Sequence, residues 1–469
     1  MLTYRPRWVA ALASLLLSTV ATGISAQEEE TAIPGVPLGF VYESERIPPI
    51  AIPPITGTEW APQVQGILAR DLDYSDRFFV MRSLPDGLQG EGVQYLLWDE
   101  FGADWLLTGN IENSAGGAVL DIELHDIVFG SVQARGRFPL PTPGEPGFRM
   151  AVHRVSDAVV EWATGDPGMA ASRITFAMKP FGNPDSQELY IVDSDGEGLQ
   201  RLTWDDDLAI SPAWSPGGDR IAYTSYKSDL PKIYELDLVT GQERVVDADG
   251  AGTNFFPAYH PDGDRIAFTV MGTEADGIYS YDLERDCCRS RLPGAHDRDF
   301  TPTYSHDGEQ IAFLSNRFGI TTPQILTMPS SGGEADLVSP YRFGQGGYFA
   351  DPDWSPVSSK IAFVGGIVDK RVYNEYDIFV ADTETGDNRL VQLTSEGNNE
   401  DPSWAPDGRH IVFKAERSVG HGIFILDTAT GRTRTLVANV DAKDTDWSPL
   451  LAGDWVAGGV RRGAPARRR

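Results

Sequence analysis

This chain is short of cysteine and of positive charge. Its two cysteines, Cys287 and Cys288, are adjacent in a chain of 469 residues, so they cannot supply the several bridges of a disulfide-rich fold. We interpret them as structurally incidental, with a reactive pair as the alternative. The chain has 39 basic and 68 acidic residues, and its net charge of −29 argues against nucleic acid as a partner, because the two would repel each other.

The chain also lacks an apolar stretch long enough to span a bilayer. The apolar run from Trp8 to Val20 follows two arginines, is too short for a membrane helix, and leads to small residues at Ser25 and Ala26. This pattern predicts a signal peptide over residues 1–26, cleaved near Ala26, and an exported mature chain without a transmembrane segment. Residues 27–46 combine acidic residues, proline and glycine without periodicity, so we expect a mobile segment.

Motifs of enzyme chemistry are missing as well. We find no Gly-x-Ser-x-Gly, no phosphate-binding Gly-x-x-x-x-Gly-Lys and no His-Glu-x-x-His, and the seven histidines are scattered. The stretch "DSDGEG" (Asp193 to Gly198) is similar to part of a calcium loop but lacks its later glutamate, so a hairpin turn is the favoured interpretation. The sequence therefore predicts no catalytic residue, no metal site and no cofactor.

What the chain has in abundance is one repeated phrase. The stretch "SPAWSPGGDRIAYTS" returns in varied form, so that the aromatic residue recurs every 43 to 50 residues, at Trp214, Tyr259, Tyr304, Trp354, Trp404 and Trp447. Each copy predicts a short strand with the aromatic, a tight turn of proline, aspartate and glycine, and a strand of the Ile-Ala-Phe type. Repeats of this length built from strands indicate the blades of a β-propeller.

The two ends of the repeat region complement each other. "SRITFAM" (Ser172 to Met178) resembles the second strand of a repeat without the first, and "DTDWSPLL" (Asp444 to Leu451) resembles the first without the second. Five complete units and one blade shared by both ends predict an all-β six-bladed propeller over residues 172–451, with a closed ring that removes a free sheet edge. Residues 452–469 end in "RRGAPARRR" and predict a basic disordered tail.

The region before the ring has a different pattern. Residues 47–165 alternate apolar stretches typical of strands with stretches of helical spacing, ending in the amphipathic "FRMAVHRVSDAVVEWAT" before Gly165. This alternation predicts a small α/β domain that precedes the propeller.

The ordered motifs together resemble the TolB family, the periplasmic component of the Tol-Pal cell-envelope system. The similarity is carried by "RIPPIAIPPITG", "FGADWLLTGNI", the helix with its Thr-Gly linker, the repeats, and the closing "DWSPLL". It implies a non-catalytic periplasmic adaptor that supports outer-membrane integrity and constriction during division. The implied partners are the peptidoglycan-associated lipoprotein Pal at the propeller mouth, TolA at the N-terminal segment, and further outer-membrane lipoproteins.

Two sets of residues are the candidate binding sites. For TolA, the resemblance implies the segment that includes Gly39, Phe40, Val41, Tyr42 and Glu43. For Pal, we expect the strand with the "x-Pro-x-aromatic" pattern to be the innermost of each blade and the loop before it to open at the propeller mouth. The mouth would then have an apolar side and an acidic side, formed by Phe255, Phe256, Phe300, Thr301, Asp351, Glu400 and Asp401. The alternative is that the three phenylalanines pack against neighbouring loops.

A second class of function stays open from the residues alone. Abundant aspartates in an acidic channel could flank a sugar bond, as paired carboxylates do in glycosidases, so a propeller enzyme or lectin acting on envelope peptides or glycans is the rival hypothesis. Fewer than thirty residues follow Trp447, which leaves no room for the hydrolase domain of propeller peptidases.

Overall fold

The computed structural model describes residues 46–84, 92–114, 117–180, 182–183, 185–319, 322–340, 347–367, 376–384, 389–417 and 420–453. The predicted signal peptide, the TolA segment and most of the basic tail lie outside these residues. Within them, no helix combines the length and the apolar character needed to cross a membrane.

The described residues of the first part of the chain form an α/β domain of three helices and five strands. Its elements in chain order are β1 (Pro49–Ala51), α1 (Ala61–Tyr74), β2 (Phe79–Val80), α2 (Tyr95–Glu100), β3 (Trp105–Ser114), β4 (Gly117–Asp126), β5 (Ser131–Leu140) and α3 (Phe148–Thr164). The strands form one sheet in the order β2-β1-β3-β4-β5. As expected, α3 ends at Gly165, which adopts the left-handed conformation that glycine tolerates best (φ 79°).

Side chains alternate between the two faces of this sheet. Leu107 and the even-numbered apolar residues of β4 pack with α1 and α3, whereas Leu106 and Ala51 pack with Trp98 of α2 on the other face. Strand β5 was not among the predicted elements. It is an edge strand whose residues are nearly all exposed or half-buried, so its sequence carries little of the hydrophobic pattern that marks a strand.

The rest of the described chain forms six four-stranded sheets. Blades 1 to 3 comprise β9 (Ala209–Trp214), β10 (Arg220–Ser225), β11 (Lys232–Asp237), β12 (Glu243–Val245); β13 (Thr253–Tyr259), β14 (Arg265–Met271), β15 (Gly277–Asp282), β16 (Cys287–Arg291); and β17 (Asp299–Tyr304), β18 (Gln310–Ser315), β19 (Gln324–Pro329), β20 (Asp336–Leu337). Blades 4 and 5 comprise β21 (Gly347–Trp354), β22 (Lys360–Ile367), β23 (Asp377–Asp382), β24 (Arg389–Gln392); and β25 (Asn398–Trp404), β26 (His410–Arg417), β27 (Gly420–Asp427), β28 (Thr433–Ala438).

Blade 6 joins the two ends of the repeat region, as the sequence predicts. It comprises β29 (Ala442–Trp447), β6 (Arg173–Met178), β7 (Glu188–Asp193) and β8 (Gln200–Arg201), in that order. Strand β29 pairs antiparallel with β6, with Trp447 opposite Ile174. The six-bladed propeller is therefore closed by hydrogen bonds between segments about 270 residues apart, and the innermost strand of the last blade is not left as a free edge.

Apolar side chains between blades hold the ring together. The apolar segments of the Ile-Ala-Phe type in β10, β14, β18, β22 and β26 are buried, and the aromatic residue of each inner strand packs between its own blade and a neighbour. Trp354, for example, belongs to a core cluster that also contains Ala312 of blade 3 and Phe363 of blade 4. The small alanine after the isoleucine in β10, β14, β18 and β22 lets adjacent blades approach closely, and β26 has Val412 at this position.

The α/β domain docks on one face of the ring. Since neighbouring strands are antiparallel, the turns after the inner-strand aromatics and the β7–β8 turn lie on the same face. Arg409 of the turn after Trp404 donates to the Asp76 carbonyl at 3.2 Å, and Arg70 of α1 donates to Asp195 of the β7–β8 turn at 2.5 Å. The inner strands begin at the opposite face, so the α/β domain leaves that entrance of the channel uncovered.

Candidate partner-binding site

The inner strands of the six blades enclose a central channel with a cavity of about 410 Å³. Its lining includes the prolines and aromatics of the repeated phrase and one residue per blade that immediately precedes the proline column. These six residues are Ser211, Phe256, Thr301, Asp351, Asp401 and Asp444. The strand with the "x-Pro-x-aromatic" pattern is therefore the innermost, as we predicted.

Each of these six residues sits in a β-bulge with left-handed backbone conformation, with φ between 46° and 54°. The register of the inner strand against its neighbour shifts at this point in every blade, for example between Ala350 and Asp353. The expectation that these positions form a loop before the strand was wrong, because the bulge turns them toward the channel from within the strand. Aspartate tolerates this conformation, whereas the bulky Phe256 and the β-branched Thr301 do so at a cost.

Three carboxylates from blades 4, 5 and 6 line one side of the channel. Asp401 accepts a hydrogen bond from the backbone N–H of Asp444 at 2.8 Å, and Asp444 accepts one from the backbone N–H of Ser211 at 2.9 Å. Burial, together with the Asp444 and Glu400 carboxylates, raises the pKa of Asp351 to about 7. Burial and the charge of Asp444 also raise the pKa of Asp401 well above its usual range. This acidic side is thus half-buried, and its Asp351 carboxyl titrates near neutral pH.

Glu400 lies one residue before this row and has a different environment. Its carboxylate forms an ion pair with Lys414 of β26 at 2.5 Å, and both side chains are about one-quarter exposed. In each blade, the residue that precedes the bulge is not part of the channel lining. Of two consecutive residues such as Glu400 and Asp401, the second therefore lines the channel and the first lies beside it. Asp351 and Asp401 are brought together as predicted, with Glu400 at their edge.

Of the predicted phenylalanines, Phe256 lines the other side of the channel, whereas Phe255 and Phe300 each precede a lining residue. Phe255 and Phe256 have ring centroids 6.0 Å apart, and Phe255 lies 6.2 Å from Tyr226. Phe300 packs against the apolar cluster between blades 3 and 4. All three rings are half-buried, so part of each packs on protein, in line with the alternative interpretation, and part stays accessible.

A second row of polar residues, which sequence reasoning missed, links neighbouring blades. Asp446 and Asp353 accept hydrogen bonds from the backbone N–H groups of Trp214 and Trp404, both at 2.6 Å. Burial raises the pKa of Asp353 to about 7, and burial with the charge of Asp353 raises that of Asp446 to about 8. The signal was present in the position before the aromatic, which is polar in four repeats and alanine in the other two.

Sequence reasoning also missed the ionic interface between the two domains. "DSDGEG" is the turn between β7 and β8, and its Asp193 and Asp195 accept hydrogen bonds from Arg149 of α3 at 3.1 and 2.5 Å. Glu197 in the same turn pairs with Arg70 at 3.1 Å. The stretch is therefore the predicted hairpin turn, and its acidic residues contact arginines of the α/β domain.

Two groups at this interface have the composition of metal ligands: Asp71 with His153 and Asp195, and Asp76 with His410 and Asp427. Arginines already hold carboxylates in both. Arg70 and Arg149 engage Asp195, and Arg409 donates to both oxygens of Asp427 at 2.6 and 2.7 Å. These cations would repel a metal ion, so the two groups fit an ion-pair network better than a metal site.

The fold defines a class of two-domain proteins in which a closed six-bladed β-propeller follows a small α/β domain. Residues 42–132 match the TolB amino-terminal domain and residues 160–451 match the TolB beta propeller domain. The chain belongs to the TolB family of the Tol-Pal system.

Individual relatives agree with this assignment over different lengths. The chain spans about half the length of the Tol-Pal system protein TolB of Albidiferax ferrireducens, at 32% identity over 209 residues (44% of this chain, 48% of the relative). It is 37% identical over 461 residues to that of Xanthomonas oryzae pv. oryzae, covering 94% of this chain and 98% of the relative. The crystal structure of TolB from Acinetobacter baumannii superposes with a TM-score of 0.75 at 27% identity, covering 86% of this chain and 97% of the other.

Proposed function

We propose that this protein is a non-catalytic periplasmic adaptor of the Tol-Pal system, which binds Pal at the propeller mouth and TolA through residues 39–43. It would thereby support outer-membrane integrity and constriction during division. The observation that carries the Pal site is the two-sided entrance, with half-buried phenylalanines on one side and the Asp351, Asp401 and Asp444 carboxylates on the other. Membership of the TolB family supports the choice of partners.

The entrance has the chemistry of a protein-binding surface. Aromatic rings that are half-buried in the free protein are already ordered, so a partner can cover their accessible part at little entropic cost. The Glu400–Lys414 pair and the channel carboxylates would set the preferred orientation of the partner and the salt dependence of association. The α/β domain occupies the opposite face, so both surfaces can be used at once.

Calorimetry with the soluble domain of Pal tests this site. We expect Phe255→Ala and Phe300→Ala to weaken binding by about tenfold or more, because each removes an aromatic anchor. Glu400→Gln should reduce affinity mainly at low salt. Val239→Ala is the matched control, since this exposed side chain lies on the opposite face of the ring. If Phe255→Ala, Phe300→Ala and Glu400→Gln all fold and all bind Pal with wild-type affinity, Pal binds elsewhere.

The proposed TolA site calls for a deletion. Removing residues 34–45 should abolish TolA binding while the propeller stays folded, because the strands of all six blades lie later in the chain, between Arg173 and Trp447. Unchanged TolA affinity would contradict this assignment.

Osmotic-shock fractionation and N-terminal sequencing test the periplasmic location. We expect a mature chain that starts near Gln27 in the periplasmic fraction, and a full-length chain retained in the inner membrane would contradict this.

The proposed absence of catalysis can be tested on the substrates of the alternative hypothesis, in which the propeller is an enzyme. Peptidoglycan fragments incubated with the mature chain should stay intact. Hydrolysis that disappears in Asp351→Ala would favour the enzyme hypothesis over the adaptor.

A further inference from the structure

The three most exposed large apolar side chains among the described residues of the α/β domain lie far from the propeller mouth. Leu96 of α2 is 82% exposed, and Val128 and Phe129 in the turn between β4 and β5 are 68% and 83% exposed. Gly130 of this turn lies against the Tyr95 ring, where a Cβ atom would be 3.9 Å from Cγ of Tyr95. The turn and the start of α2 are therefore neighbours, and we call Leu96, Val128 and Phe129 the α2–turn patch.

Folding does not require these side chains to be apolar. The buried contacts of the region are made by Trp98 and Ile127, which pack with Leu106 and are each 3% exposed. Asp126 already stabilises the turn by accepting a hydrogen bond from the backbone N–H of Phe129 at 2.9 Å. A turn of this kind normally carries polar residues or glycine at its tip, and contiguous exposed apolar side chains commonly mark binding surfaces.

The charges around the patch identify the kind of partner. Asp99 and Glu100 follow Leu96 by three and four residues, so all three share the solvent face of α2, and both carboxylates are exposed. The sequences of α2 and of the turn, "YLLWDE" and "DIVFG", contain no basic residue. An apolar centre with an acidic edge complements an apolar segment flanked by lysine or arginine.

The same charges disfavour the other occupants. A second copy would bring its own Asp99 and Glu100 to the contact, and an anionic membrane would be repelled by a chain with a net charge of −29. The chain's own leading segment contains "QEEE" at residues 27–30 and further glutamates at 43 and 45, so it is acidic as well.

We propose that the α2–turn patch is a docking site for a basic amphipathic segment of another protein. The site is separate from the propeller mouth. Helices α1 and α3, which lie on one face of the sheet, contact the propeller, whereas α2 packs on the other face. A partner at the patch could therefore bind while the propeller mouth is occupied.

The test measures binding of a fluorescently labelled amphipathic peptide of leucine and lysine, with a leucine and glutamate peptide of the same apolar pattern for comparison. We expect only the leucine–lysine peptide to bind. Phe129→Ser and Leu96→Ser should each weaken its binding by about tenfold. Val239→Ser, which removes an exposed apolar side chain of the propeller, should leave affinity unchanged. Because all three side chains are exposed, the variants should fold, which their thermal unfolding will verify.

Four results would overturn the proposal. Equal binding by wild type and Phe129→Ser would mean that the peptide adheres to the acidic surface in general, and equal binding of both peptides would remove the role of charge. Tighter binding after deletion of residues 27–45 would show that the leading segment covers the patch. A dimer in sedimentation that Phe129→Ser dissolves would assign the patch to a second copy.

Discussion

The Asp446 carboxylate of blade 6 accepts a hydrogen bond from the backbone N–H of Trp214 in blade 1, with 2.6 Å between Oδ2 and N. This bond joins the last inner strand of the chain to the first, beside the β29–β6 pairing that closes the ring. It also explains why an aspartate with a pKa raised to about 8 is retained there, since its protonated form keeps an acceptor oxygen for the N–H group.

Removing this acceptor should weaken ring closure. We expect Asp446→Ala to lower the free energy of unfolding by about 1–3 kcal/mol, because the buried N–H of Trp214 loses its partner. Asp446→Asn keeps an acceptor and cannot ionise, so its stability should equal or exceed that of the wild type at pH 8. Denaturant unfolding of both variants measures this, and equal losses in the two would contradict it. Thr303→Ala, which removes the acceptor of the Trp354 N–H without a titrating group, is the control.

The bulge in blade 3 is a position at which a substitution should raise the stability of the protein. Thr301 is β-branched at φ 46°, and its hydroxyl oxygen is buried without a hydrogen-bond partner. Asparagine adopts this conformation more readily, so Thr301→Asn should raise the free energy of unfolding by about 0.5–1 kcal/mol. Thr303→Asn in the same strand, away from the left-handed position, should bring no gain. A destabilised Thr301→Asn variant would mean that the threonine makes contacts worth more than its strain.

The propeller could be predicted because each blade repeats the same local chemistry. Turn residues, the wedge aromatic and the Ile-Ala-Phe type strand recur six times, and complementary half-repeats at Ser172 and Asp444 indicate closure. The bulges could not be predicted in the same way, because a residue such as Phe256 has no intrinsic preference for the left-handed conformation. The conformation recurs at the same position in all six inner strands whatever the side chain, so it belongs to the architecture of the ring.

The interface between the domains could not be predicted from the sequence for a related reason. Arg70 and Asp195 are 125 residues apart, and single charged residues in a highly acidic chain give no sign of their partners. Edge strand β5 was missed because it buries little. In contrast, α3 was predicted to its last residue, since its apolar face and the glycine that ends it are both local features.

The disulfide between Cys287 and Cys288 at the start of β16 should contribute little to stability. A bridge between adjacent residues closes the smallest possible loop, so it restricts the unfolded chain only slightly, and β16 is the outermost strand of blade 2. We expect reduction to change the free energy of unfolding by at most about 1 kcal/mol. Thermal unfolding with and without a dithiol measures this, with the double variant Cys287→Ser/Cys288→Ser as control. A loss of several kcal/mol would show that the bridge holds blade 2 together.

The domain interface should loosen at alkaline pH through His410. This buried imidazole lies between Asp407, with 2.6 Å from Nδ1 to Oδ2, and Asp76 of the α/β domain, with 3.3 Å from Nε2 to Oδ2. Burial acts to lower the pKa of His410, but the charge of Asp407 and the hydrogen bonds to both carboxylates outweigh it and raise the pKa to about 9. Arg432 pairs with Asp76 and Arg409 pairs with Asp427, so the interface remains ionic on both sides of this titration.

A histidine pKa that is higher in the folded than in the unfolded state stabilises the protein below the unfolded value and ceases to do so as pH rises through the folded value. Wild type should therefore exceed His410→Gln in stability by about 3 kcal/mol at pH 6, and this difference should shrink steadily toward pH 9.5. The aspartates with raised pKa titrate in both proteins, so the difference between the two curves isolates His410. Denaturant unfolding across this range measures it, with His421→Gln on the exposed surface of the same blade as control. A difference that stays constant with pH would mean that His410 is held neutral and stabilises the interface by packing alone.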